Sequence, residues 1–386
     1  MLHHLDRVGL ISAGIAGTLV LGACSDPGGG DQALVSEPLV ATYEGGLYVM
    51  DGESLEVEHD IPLDGFLRLN PAGDDGHVLV TVDNGFRVLD AVHGELTDAT
   101  FAAADPGHVV PHGERTVLFA DGSGEITAFD PHELDHGLPQ AEKFKAPQPH
   151  HGVAVILSDG ALVHSIGDPD NRTGAVALDG DRVIGRSDDC PGIHGETVVA
   201  DEAIVFGCEN GALVFQAGAF TKISSPTPYG RIGTTRGHAD SAVALGDMKV
   251  DPDAELERPQ QFALIDTAAN QLKVINLPPS VSYSFRSLAR GPQAEALILG
   301  TDGNLYVIDP VTGDTVKTIA VTEKWTEPDD WQQPRPTVFT REDAVYVTDT
   351  ATNTISRVDL DSGTVSDSVS LEHTPNELSG AVGHHH

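Results

Sequence analysis

From residue 39 onward the chain repeats one short pattern. A glycine or asparagine is followed by a run in which apolar side chains alternate with others. It reads Gly46-Leu47-Tyr48-Val49, Gly85-Phe86-Arg87-Val88-Leu89, Gly124-Glu125-Ile126-Thr127-Ala128-Phe129 and Gly160-Ala161-Leu162-Val163. It continues from Gly211, Asn270, Gly303 and Asn353. Asn-Gly or Asp-Gly dipeptides at Asn84-Gly85, Asp159-Gly160, Asn210-Gly211 and Asp302-Gly303 are hairpin signals. A second short apolar run precedes most units, as in His77 to Val82 and Ala203 to Phe206. Beyond the first residues, no window of 11–18 residues carries a helical period. Units of about 44 residues built from short strands predict an all-β repeat protein, a β-propeller.

The unit count gives eight blades, with seven as the runner-up. Residues Leu39 to Ile61 supply three strands, one short of a blade. Ser370 to Val382 can supply the missing inner strand, which would close the ring and remove free sheet edges. The segment Asp247 to Gln261 is acidic and contains proline. It reads as a loop inserted in the fifth blade.

The N-terminus departs from the repeat. Arg7 precedes the apolar run Val8 to Leu21, which is too short for a comfortable membrane span and fits an export signal. Leu21-Gly22-Ala23-Cys24 resembles a bacterial lipobox. That resemblance implies cleavage before Cys24 and a lipid anchor on it. The expected organisation is a signal peptide over 1–23, a lipidated flexible tether over 24–37, one propeller domain over 38–383 and a histidine tail over 384–386. The tail reads as a partial tag or a native end. The expected location is the outer face of the bacterial cytoplasmic membrane, with the chain acting as a monomer.

Composition narrows the partners. The net charge is −37, from 59 acidic and 22 basic residues. Such a surface repels phosphates and argues against nucleic acid. Outside the cytoplasm the remaining cysteines, Cys190 and Cys208, are most simply a disulfide that fixes the loop presenting His194, with thiolate metal ligation as the alternative.

The candidate chemistry lies in a recurring His-Gly phrase before an apolar run. It occurs at His112-Gly113, His151-Gly152 and His194-Gly195, at intervals of 39 and 43 residues. If each phrase opens an inner strand, histidines of different blades converge on the central channel. Neutral imidazole is a good ligand for zinc and other late transition metals. His112, His151 and His194 are the first choices, with His108, His150, His238 and His373 in reserve. Glu114 and Glu196 could supply a carboxylate ligand or accept an imidazole N–H. Arg68, Arg231, Arg286 and Arg335 open the other inner strands and suit either an anion or salt bridges.

With these residues in view, the chain resembles the AztD family of exported β-propeller zinc metallochaperones. The resemblance rests on Pro149-His150-His151-Gly152, on Cys190-Pro191-Gly192-Ile193-His194-Gly195-Glu196, and on Phe206-Gly207-Cys208-Glu209-Asn210-Gly211. It implies zinc (Zn2+) bound through histidines, a structural disulfide, no enzymatic turnover, and transfer of zinc to the substrate-binding protein of a zinc ABC transporter. The family also carries a mobile His-rich segment near the mature N-terminus, whereas no histidine occurs here between Cys24 and His59. Two other readings compete. One is a lactonase-like metal-dependent hydrolase on the same fold, and the other is a docking scaffold without metal.

Overall fold

The computed structural model describes residues 34–383 apart from Glu342. The expected signal peptide, Cys24 and the terminal histidines lie outside the described residues. Among the described residues thirty-two strands form eight four-stranded antiparallel sheets. The eight-bladed propeller expected from the sequence is the observed fold.

Blade 1 is the composite one. Leu378–Gly380 pairs with Leu39–Tyr43, followed by Gly46–Met50 and Val57–Pro62. The register is Leu39↔Gly380, Val40↔Ser379 and Ala41↔Leu378. Thr42 N donates to Glu377 O at 3.0 Å, and Asn376 N donates to Thr42 O at 2.7 Å. The last strand thus comes from the other end of the chain, as the strand count required. Val35 is buried against blade 2, so packing begins inside the segment expected as tether.

The strand pattern follows from how blades stack. Middle strands are covered on both faces, which explains their continuous apolar runs. Gly46–Met50 and Ala203–Cys208 are buried at every position. Outer strands such as Val57–Pro62 and Thr364–Ser370 are mostly exposed and carry polar residues. The buried apolar residues divide into eight clusters, one at each interface between neighbouring blades. Each fully buried Val, Leu or Phe contributes about 1.5–3 kcal/mol. The core is therefore a ring of eight layers around a polar channel.

Antiparallel order fixes which loops share an end of that channel. Segments entering the inner strands lie at the same end as the turns between second and third strands. The acidic insertion, residues 248–260, follows Val243–Asp247 and precedes Gln261–Asp266, the second and third strands of its blade. Counted from the closing blade this is blade 6, not the fifth. A chain ending at Thr374 should melt at least about 5 °C below the full chain in calorimetry, because it lacks the closing ladder and buried Leu378. An unchanged transition would mean that closure contributes nothing.

Candidate metal centre

Three histidines meet at the end of the channel where chains enter the inner strands. His108 lies in Pro106–His112, the inner strand of blade 3. His151 lies three residues before Ala154–Ile156, the inner strand of blade 4. His194 is the first residue of His194–Val199 in blade 5. One potential ligand atom from each lies within 4.8 Å of the other two. Nε2 of His151 is 3.0 Å from Nε2 of His194. His151 is exposed, and the other two are partly buried.

The opposite nitrogen of every ring is anchored. His108 Nδ1 donates to Gly152 O at 2.9 Å, and His194 Nδ1 donates to Gly233 O at 2.6 Å. His151 Nδ1 donates to Asp121 Oδ2 at 2.5 Å. A carbonyl can only accept, so the proton of His108 and of His194 sits on Nδ1. The Asp121 carboxylate selects the same tautomer for His151. All three Nε2 lone pairs are therefore left for a ligand, the arrangement by which proteins orient metal-binding imidazoles. Two lone pairs at 3.0 Å repel each other unless a cation or proton lies between them. Two nitrogens on a tetrahedral zinc with bonds of about 2 Å would sit about 3.3 Å apart, close to the 3.0 Å between His151 and His194.

Asp121 supports two limbs. Its Oδ1 accepts from Gly152 N at 3.2 Å, and Gly152 is the residue whose carbonyl receives His108. His194 has its own frame. The buried disulfide Cys190–Cys208 closes the loop before it. Glu209 N donates to Pro191 O at 2.8 Å, and Ile232 N donates to Cys208 O at 2.9 Å, next to Gly233. Gly195 has φ +67°, and an added Cβ would lie 2.6 Å from Gly233 O. Glycine after His194 is thus required both by the backbone and by the carbonyl that His194 uses.

Electrostatics keep the His108 and His194 imidazoles neutral. Burial, then the neighbouring His194, His151 and Arg68, hold the His108 pKa well below the usual imidazole range. Burial, then His151, push His194 down to about 3. Among the described residues no fourth His, Cys, Asp or Glu joins the group, so one side of a bound ion would be open.

The structure brings together a different set of histidines from the one expected from sequence. His112, a first choice, lies at the far end of the seven-residue inner strand, four residues and about 13 Å beyond His108. It pairs there with Glu202 at 2.9 Å. Gly113 sits in the turn that closes this hairpin, so the first His-Gly phrase is not equivalent to the other two. His150 is buried with both nitrogens engaged, Nδ1 with Gln148 O and Nε2 with Ser165 Oγ. His238 lies in the turn after Thr235–Arg236, with Asp240 at 4.0 Å. His373 stacks on Tyr43. Glu196 is two residues beyond His194, but its carboxyl lies outside the triad. Burial pushes its pKa up to about 8, with Arg236 pulling the other way. Of the arginines, Arg286 pairs with Glu377 at 2.6 Å and Arg335 with Glu327 at 2.8 Å, so salt bridges account for both. Asp121 was not found from sequence. The reserve residue His108 had a signal, since it, His151 and His194 recur at a constant interval of 43 residues.

No protein-family model matches the chain. It is similar to the zinc chaperone AztD of Citrobacter koseri, 27% identical over 334 residues that cover 80% of this chain and 76% of that protein. Two solved structures of C. koseri AztD, one of them the apo form, superpose with a TM-score of 0.75 at 21% identity, over 90% of this chain and 98% of theirs. A computationally designed protein, Ika8, superposes with a TM-score of 0.56 at 13% identity, over 82% of this chain and 94% of its own. The resemblance to AztD read from the sequence is thus borne out by both sequence and structure.

Two predictions follow from the geometry. Asp121 accepts from two donors, His151 Nδ1–H and Gly152 N–H. Asn has one acceptor oxygen and must oppose a donor to one of them. Asp121→Asn should weaken zinc binding about 10–100-fold in chelator competition while leaving the metal-free melting temperature within a few degrees; equal affinity would contradict the assigned tautomer. The second concerns pH. His108 and His194 have folded pKa values below the ordinary 6.5, so the unfolded chain binds more protons as pH falls below that value. Their contribution to metal-free stability is full above about pH 6.5 and is lost on acidification. The double variant His108→Gln/His194→Gln should show a shallower fall in melting temperature between pH 7 and 5, and an unchanged slope would contradict it.

Proposed function

We propose that this protein is an extracytoplasmic zinc chaperone, in which zinc is cargo rather than a resident cofactor. The observation that carries the reading is the convergence of three histidines, each with a ligand atom within 4.8 Å of the other two and each with its Nδ1 fixed by a hydrogen bond. The similarity to C. koseri AztD supports it. The proposed ligands are His108, His151 and His194. The proposed acceptor is the substrate-binding protein of a zinc ABC transporter. Export as a lipoprotein anchored through Cys24 would place carrier and acceptor at the same membrane surface.

The site's form supports transfer over storage. Three protein ligands leave one side of the ion open, and exposed His151 lies on the solvent side. An incoming ligand from an acceptor can add before a histidine leaves, so the ion need never be free in water. A closed four-ligand site would resist such exchange. The same open side favours a second reading, a hydrolase whose fourth position holds water. That reading requires turnover, which a lactone and phosphotriester panel on the zinc-loaded protein would reveal.

The transfer reading makes a kinetic prediction. Zinc-loaded protein mixed with metal-free acceptor should lose zinc at a rate that rises with acceptor concentration and exceeds its loss to buffer. A rate independent of acceptor and equal to spontaneous dissociation would contradict direct transfer.

A further inference from the structure

The carbonyl that holds His194 must itself be held. The inner strand of blade 6 is only Thr235–Arg236, and its ladder ends at Thr235↔Gly246. Gly233 and Thr234 lie beyond the ladder, and their amides need another partner. Asp247 supplies it. One carboxylate oxygen accepts from Gly233 N at 2.6 Å and from Thr234 N at 2.8 Å. The Asp247 amide returns a bond to Thr234 O at 3.0 Å. The side chain is buried, and Lys249 Nζ stands 4.0 Å away.

The Thr234 N–H belongs to the same peptide group as the Gly233 carbonyl. A continuous chain therefore runs from His194 Nδ1–H to Gly233 O, through the 233–234 peptide, and from Thr234 N–H to the Asp247 carboxylate. Hydrogen bonds in such a chain polarise one another. A negative charge at one end draws density toward the Gly233 oxygen and makes it a better acceptor for the imidazole. Asp121 acts on His151 directly. Among the described residues no carboxylate hydrogen-bonds the His194 ring, whose Nδ1 donates to this carbonyl.

We infer that Asp247 is the positioning carboxylate of His194, acting through the 233–234 peptide to orient the ring and raise the donor strength of its Nε2. This rests on the zinc-carrier reading for its purpose, but the hydrogen-bond chain can be tested without metal. Asp247 is also the last residue before the 248–260 insertion, so this support stands at the base of a loop on the same end of the channel as the triad.

The test uses Asp247→Ala, which removes the acceptor, and Asp247→Asn, which keeps an acceptor oxygen for both amides but loses the charge. In chelator competition Asp247→Ala should weaken zinc binding at least about tenfold and Asp247→Asn about threefold. Both losses should persist in a His151→Ala background and vanish in a His194→Ala background. In the metal-free chain, Asp247→Asn should shift the ring 15N resonances of His194 and leave those of His108 in place. This NMR arm decides the matter even if the alanine variant fails to fold. Unmoved His194 resonances, or a zinc loss of equal size with and without His194, would overturn the assignment. Failure of the wild-type chain to bind zinc, with the His194 resonances shifted as expected, would instead strike the carrier reading alone.

Discussion

Three hydrogen bonds to Nδ1 are the constraint on which the site depends. An imidazole has two nitrogens, and a metal can use only the one without a proton. Gly152 O, Gly233 O and Asp121 Oδ2 each take the Nδ1 hydrogen of one ring. Each bond fixes a tautomer and a ring orientation together. The result is a cluster of three imidazoles that each leave Nε2 free of an anchoring partner on its own strand. Histidines at random in a polar channel would mix tautomers and rotate freely.

The fold supplies those three oxygens without any element dedicated to metal. Eight apolar layers between blades fix the rotation of each sheet about the channel. That rotation brings the starts of three successive inner strands to one place. The acceptors then come from the segments just before the inner strands of blades 4 and 6 and from a turn of blade 3 at the same end. Blade 5 needs an extra support because its histidine follows a loop containing Pro191 and Gly192. The Cys190–Cys208 bridge provides it, and through the Cys208 carbonyl it also steadies the chain carrying Gly233.

Much of this was legible in the sequence because propeller strands follow simple rules. Buried middle strands must be apolar, and their turns must be rich in glycine, so eight units could be counted. The strand deficit at the N-terminus required a partner from the C-terminus. His151 and His194 could be placed because each stands just before an apolar run. His112 misled for a physical reason. The inner strand of blade 3 is long and has one histidine near its start and another at its end, and the Gly113 turn mimics the phrase that elsewhere precedes a strand. Only a constant 43-residue spacing separates His108 from it. Asp121 and Asp247 were not legible, since both act on backbone amides brought near by folding, in a chain with 59 acidic residues.

The central claim is that His108, not His112, completes the triad. Zinc bound per chain, measured by mass spectrometry after competition with a chelator of known affinity, tests it most directly. The comparison is full chain, His108→Ala and His112→Ala, each without the terminal histidines. The account predicts that the full chain and His112→Ala retain one zinc while His108→Ala gives it up. Retention by His108→Ala with loss in His112→Ala would contradict it.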